Sequence, residues 1–247
     1  MILSIIGLPQ TGKKTIFELL SGIPAEKAHS RDSIRYAQAI VRDARIDALT
    51  SIFNPKKSRY PDFELALPPD LQPNDGRAAT WLDPIRRSDA LIHVVRAFEA
   101  DNVFHIESSV DPERDIETVE LEFLFADLAM TEQRLQRLEK ELRVKSTPQK
   151  VKETQVIKRC QEQLQDEQPL RNLEFNDEEI AVIKSLQFLT LKPVLTVINT
   201  GEDLQEEMER YDELKNTLQE RGNTVLFLSA AIEQEIQQLD EEERNAF

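Results

Sequence analysis

An apolar run at residues 2–6 opens directly into Gly7-Leu8-Pro9-Gln10-Thr11-Gly12-Lys13-Lys14-Thr15, and this junction constrains the fold more than any other stretch. A strand, a glycine-bearing turn and an amphipathic helix, in that order, describe a phosphate-binding loop. Its pattern is Gly, four residues, Gly-Lys, then Ser or Thr. Gly7, Gly12 and Lys13 meet the pattern, and Lys14 stands where the hydroxyl belongs. The glycines let successive backbone N–H groups turn inward around a polyanion, and the helix start adds partial positive charge. Lys13 is expected to reach the outer phosphates, with Gln10, Thr11, Lys14 and Thr15 completing the cradle. The missing hydroxyl normally holds Mg²⁺, so the loop argues for nucleotide binding and against ordinary Mg²⁺-dependent hydrolysis.

The rest of the chain suits such a fold. Its 247 residues allow one large domain, or one domain carrying an insertion, and 40% apolar content is enough for a core. Thirty-one basic against 46 acidic residues leave a net charge of −15. That field repels nucleic acid backbones and anionic membranes, so either contact needs a local basic patch. Cys160 is the only cysteine, which excludes an internal disulfide and suits a reducing compartment. The N-terminal apolar run is too short for a signal segment, and no stretch is long enough to span a bilayer. A cytoplasmic protein is expected.

Strand-like and helix-like segments alternate, which predicts an α/β fold of three layers around a parallel sheet. Strands are expected at 2–6, 36–41, 63–67, 90–95, 194–198 and 225–228, and helices at 13–21, 44–53 and 204–221. The middle differs in texture. Leu121, Leu124, Leu128, Thr131, Leu135, Leu138 and Leu142 step by three and four, a heptad seam with one polar position. Ser146-Thr147-Pro148 interrupts it, and Ile157, Cys160 and Leu164 offer a matching stripe. An antiparallel coiled-coil hairpin at 116–168 is therefore expected inside a phosphate-loop domain made of 1–115 and 169–247. The alternative is a long surface helix packed on the core.

Two further stretches arrive in the order a nucleotide switch requires. Asn199-Thr200-Gly201-Glu202-Asp203 follows the strand at 194–198, where such switches place an Asn-Lys-x-Asp motif that reads guanine. There the carboxylate takes two hydrogen bonds from adjacent donors on the base edge. Glu202, one methylene longer, could take a shifted pose compatible with adenine. The competing reading is a charged helix start. Ser229-Ala230-Ala231 follows the last strand, where the backbone approaches the base. Asn199, Thr200, Glu202, Ser229 and Ala230 are the candidate base-binding residues.

On these residues the chain resembles the YchF/Obg-like ATPase family of translation-factor-class P-loop NTPases. Gly7-Leu8-Pro9 with Gly12-Lys13, SDALIHVV at 88–95, VDPERDI at 110–116 and KPVLTVINTGED at 192–203 all resemble family segments. The resemblance implies a G-domain-like fold with a helical arm, ATP preferred over GTP, and association with ribosomes. Three departures accompany it. Lys14 replaces the family's magnesium-binding Ser. The second-switch Asp-x-x-Gly is replaced by Pro68-Pro69-Asp70-Leu71-Gln72-Pro73-Asn74-Asp75-Gly76, and proline has no N–H to offer a γ-phosphate. The family's C-terminal TGS domain has no counterpart before Phe247. A degenerate member with weak or absent hydrolysis is expected, and no catalytic or metal-binding residue is assigned. The rival is a pseudo-GTPase that binds no nucleotide and docks a protein or ribonucleoprotein by its hairpin. Lys14 or Gln10 folded into the phosphate site and paired with Asp70 or another carboxylate would favour that rival. An active ATPase using Thr15 is a third reading.

Remaining singular residues read as structural. His93 falls inside a strand and is expected in the core, and Asp111 and Asp115 are expected to cap the hairpin's first helix. His29, His105 and Cys160 lack metal-ligand spacing. Asp240–Glu243 reads as a solvated helix face, and Trp81 as core or a partner anchor.

Overall fold

The computed structural model describes residues 1–31, 33–71, 78–100, 103–240 and 243, with the side chains of Arg31 and residues 78–81 outside that description. Gln72 to Gly76 and the Trp81 side chain, named above, therefore lie outside the described residues, as does part of the acidic ending. The first half of the chain runs β1 (Ile2–Ile6), α1 (Lys13–Ser21), β2 (His29–Arg31), β3 (Ile34–Ile40), α2 (Ala44–Phe53) and β4 (Asp62–Leu67). It continues through α3 (Ala78–Arg86), β5 (Ala90–Arg96), α4 (Pro112–Val144) and α5 (Pro148–Gln165). The last part holds α6 (Asp177–Ile183), β6 (Val194–Asn199), α7 (Leu204–Arg210), α8 (Asp212–Glu220), β7 (Thr224–Leu228) and α9 (Ala230–Gln238).

Among the described residues one seven-stranded sheet forms, in the order β2-β3-β4-β1-β5-β6-β7. β4, β1, β5, β6 and β7 are parallel, as the alternation of strands and helices requires. The edge differs from the expected all-parallel sheet: β2–β3 and β3–β4 pair antiparallel. Ser33, just before β3, takes a left-handed φ of 64°. Neighbouring residues of β1 face opposite layers. Ile5 packs with Phe17, Val94, Val197 and Ala230 beneath α1 and α9. Ile6 packs with Leu82, Leu91, Val119 and Phe123 beneath α3 and α4. Each fully buried side chain of this size contributes about 1.5–3 kcal/mol, so both layers are firmly held to the strand that feeds the phosphate loop.

α4 begins at Pro112, earlier than the seam suggested, because Asp111 caps it by accepting from the Arg114 amide at 3.1 Å and Pro112 suits the first turn. Asp115 is not a cap. It is buried and bonded to His105 Nε2 at 2.9 Å and to the Arg114 guanidinium at 2.8 Å. The turn 145–147 folds α5 back along α4, where Leu124, Leu138, Val156, Ile157, Cys160 and Leu164 form one cluster. Leu121 lies outside it and is exposed. The early turns of α4 bury Ile116, Val119 and Phe123 against the sheet, so the face toward α5 is set only further along. Asp127, absent from the seam, is fully buried and anchors the middle of α4. It accepts from the Thr190 amide at 2.8 Å and hydroxyl at 2.9 Å and pairs with Arg86 at 2.8 Å. The helix expected at 204–221 is two helices, broken at Tyr211, which packs against the cluster of Ala97, Ile198 and Phe227.

Candidate functional site

The loop between β1 and α1 has the backbone that its glycines foretell. Gly7 (φ +148°) and Gly12 (φ +97°) lie in conformations that side chains rarely adopt. A Cβ on Gly7 would strike the Val94 carbonyl oxygen, and one on Gly12 would strike the Asn199 side-chain amide. Gln10, at φ 62°, completes the turn. The first N–H groups of α1 have no partner within the helix, and Gly12 provides no side-chain cap and no acidic residue follows in the first turn. In contrast, Asp43, Asp111, Thr147, Asn176, Asp203 and Ser229 cap α2, α4, α5, α6, α7 and α9. The uncapped helix start, bearing Lys13 and Lys14, is an anion-seeking end.

Lys13 is 5% exposed, and its ammonium pairs with Asp70 at 3.1 Å and donates to the Leu8 carbonyl. Burial pulls its pKa below the ordinary lysine value, with Asp70 opposing that shift. The partner of Asp70 is thus Lys13, and neither Lys14 nor Gln10. Lys14 is exposed and Thr15 half-buried. Asp70 remains 52% exposed, so the pair opens to solvent. Beside it lies a cavity of about 200 Å³ lined by Lys13, Lys14, Ser33, Arg35, Pro68 and Asp70. Arg35 escaped the sequence reading because it enters by register: it sits opposite Leu67 where β3 pairs with β4. Thr11 is buried, its hydroxyl donating to the Leu8 carbonyl at 3.2 Å.

The other expected residues meet the loop from the ends of β6 and β7. Asn199, 4% exposed, donates from Nδ2 to the Thr11 carbonyl at 2.9 Å and accepts at Oδ1 from the Ala230 amide at 2.9 Å. It ties the phosphate loop to the Ser229-Ala230 turn. Thr200 is buried, with its amide bonded to the Leu228 carbonyl at 2.9 Å. Ser229 caps α9 through the Ile232 amide at 3.5 Å. Glu202 is exposed. The three segments therefore meet at the carboxyl ends of the parallel strands β1, β6 and β7, the side of the sheet where ligands bind in open α/β folds.

A hydroxyl is the donor that Mg²⁺ takes from a loop of this kind, and the Lys14 ammonium has no lone pair to offer. Among the described residues no three His, Cys, Asp or Glu side chains are grouped to hold a metal. Lys14 therefore offers no metal-binding lone pair at the position where the loop pattern places a hydroxyl. His93, in the centre of β5, is buried and neutral, its pKa lowered to about 3 by burial and then by Lys13 and Arg171.

Against known proteins, the chain is 34% identical over 253 residues to the ribosome-binding ATPase YchF of Bacillus subtilis, covering 98% of this chain and 69% of that one. The chain belongs to the YchF family. The YchF of Escherichia coli O157:H7 gives 34% identity over 250 residues with the same coverage. Obg-like ATPase 1 of Oryza sativa subsp. indica gives 30% over 241 residues, covering 94% of this chain and 61% of that protein. In structure the chain is similar to the YchF GTPase of Schizosaccharomyces pombe, with TM-score 0.79 and 25% identity over all of this chain and 70% of that one. A GTP-binding protein from Pyrococcus horikoshii OT3 shares the fold, with TM-score 0.56 and 16% identity over 98% of this chain and 68% of that one. No protein-family model matches the chain. Among the described residues no helix is long and apolar enough to cross a membrane.

Proposed function

We propose that this YchF-family chain is a cytoplasmic nucleotide-binding protein that favours ATP over GTP, hydrolyses it weakly or not at all, and associates with ribosomes. The observation that carries the reading is the Asn199 bridge between Thr11 and Ala230, which holds the phosphate loop and the base-side turn in one frame. Gly7, Gln10, Thr11, Gly12, Lys13, Lys14 and Thr15 surround the phosphates, and Asn199, Thr200, Glu202, Ser229 and Ala230 frame the base. Relatives carrying the name ribosome-binding ATPase support both the nucleotide and the ribosome. Weak turnover follows from Lys14 in place of a metal-binding hydroxyl and from Pro68-Pro69, which lack the N–H that would stabilise a γ-phosphate. Residues 1–115 and 169–247 form the nucleotide domain in this reading, and the hairpin at 116–168 is its docking arm.

The Lys13–Asp70 pair favours a second reading, in which the site is closed on itself and the chain is an interaction module. Titration with fluorescent ATP and GTP analogues, with and without Mg²⁺, separates the two. Saturable binding that Lys13→Ala abolishes supports the nucleotide reading, and no binding at millimolar nucleotide supports the module. If Lys14 acts as a fixed cation in place of Mg²⁺, Lys14→Ser makes binding Mg²⁺-dependent. An unchanged Mg²⁺ response in that variant removes the role.

A further inference from the structure

The segment 40–60, linking β3 to β4 through α2, differs from the rest of the molecule. None of the side chains of α2 is buried. Its apolar residues Leu49, Ile52 and Phe53 are exposed, with Ile52 at 69% and Phe53 at 73%, and Ile40 and Val41 beside them are exposed too. A contiguous apolar surface on a helix that contributes nothing to the core marks a contact site. Around it the charge reverses. Residues 42–59 hold five basic and two acidic residues in a chain of net charge −15.

Both acids are already engaged. Asp43 is held by Arg45 at 2.6 Å, and Asp47 accepts from the Tyr60 hydroxyl. Arg42, Lys56, Lys57 and Arg59 are exposed and make no ion pair among the described residues. Elsewhere Arg86, Arg114, Arg134, Arg143, Arg159 and Arg171 each sit on a carboxylate. Unpaired cations around an exposed aromatic and aliphatic platform are what single-stranded nucleic acid uses: phosphates meet the charges and bases stack on the ring. An acidic protein as a whole is poorly suited to RNA, so a contact of this kind must be local.

We propose that this lobe, Arg42, Lys56, Lys57 and Arg59 with Ile52 and Phe53, is an RNA-contacting surface that meets ribosomal RNA. The inference rests on the ribosome association proposed above. The lobe is distinct from the nucleotide cleft and from the hairpin, and gives an acidic chain the basic patch that contact with an RNA backbone demands.

The test uses the full chain, purified bacterial 70S ribosomes in a sedimentation assay, and a fluorescein-labelled 20-nucleotide single-stranded RNA in an anisotropy titration across salt concentrations. Wild type is compared with Lys56→Glu/Lys57→Glu/Arg59→Glu, with Phe53→Ser, and with Lys27→Glu/Arg87→Glu/Lys184→Glu, which makes the same charge change at exposed sites outside both the lobe and the hairpin. The proposal expects the lobe triple variant to lose at least about tenfold in RNA affinity and in ribosome binding. Its salt slope should fall by about 2, the release expected when three single-strand phosphate contacts go. Phe53→Ser should weaken RNA binding with the salt slope unchanged, and the control triple should bind as wild type does. Lys56→Arg/Lys57→Arg should retain binding.

Wild-type ribosome and RNA binding in the lobe triple variant overturns the proposal while leaving ribosome association standing. Ribosome binding lost with RNA binding intact overturns it in favour of a protein contact. Equal losses in the lobe and control variants overturn it in favour of diffuse charge. Absence of any wild-type binding to ribosomes removes the association itself and the proposal with it.

Discussion

At the scale of single residues, the competition for Lys13 governs the site. Its ammonium is held by Asp70 at 3.1 Å, and in the nucleotide-binding function proposed above a phosphate must displace that carboxylate. Because Asp70 is half exposed, the pair is screened and contributes about 0–1 kcal/mol. Asp70→Asn is therefore expected to tighten nucleotide binding by up to about fivefold, read by the same fluorescent titration. Weaker binding in that variant would make Asp70 a ligand partner instead of a competitor. His93 carries a second expectation. Its pKa is about 3 in the folded chain against an ordinary 6.5. Above pH 6.5 both states hold a neutral ring and its contribution to stability is complete. As pH falls toward 3, the unfolded chain takes up a proton that the native one refuses, and stability drops by up to about 1.4 kcal/mol per pH unit. Urea unfolding at pH 7, 6 and 5 should show a shallower acid decline for His93→Gln than for wild type.

Secondary elements add constraints that no single residue shows. α4 serves two neighbours along its length, first the sheet and then α5, so a uniform heptad seam overstates how regular its contacts are. Leu121 follows the seam in sequence yet stays exposed, while Asp127 breaks it yet is fully buried. Asp127→Ala would leave Arg86 without its carboxylate and the Thr190 amide without its acceptor. The expected loss is about 3–5 kcal/mol, measurable by urea denaturation. A loss under about 1 kcal/mol would mean that water satisfies the freed groups. Asn199→Ala should uncouple the phosphate loop from the base-side turn, weaken ATP binding at least about tenfold, and cost about 1–3 kcal/mol of stability because the buried Ala230 amide loses its acceptor. Equal ATP affinity in that variant would deprive the bridge of its role.

Over the whole molecule, the hairpin is a buttressed element rather than a free arm. α6 lies along α5, with Lys152 on Glu178 and Arg159 on Glu179 at 2.5 Å. The cluster around Leu138 and Ile157 continues into Leu170, Ile183 and Phe188. Only the tip near the exposed Val144 stands clear, so amide exchange should be fastest at residues 140–150 and slow from 155 to 164. Uniform fast exchange along both helices would contradict that shared core. The alternation of apolar runs, the Gly7 and Gly12 spacing and the Pro148 break determined the α/β class, the position of the phosphate loop and the existence of the hairpin. These are local properties, set by strand and helix periodicity and by backbone freedom at glycine. The edge strands, the break at Tyr211, Arg35 beside the loop, Lys13 as the partner of Asp70 and Asn199 as the bridge to Ala230 were decided only by tertiary structure. Each depends on strand register or on contacts between residues distant in the chain, and burial selects those among many pairings that the same sequence allows.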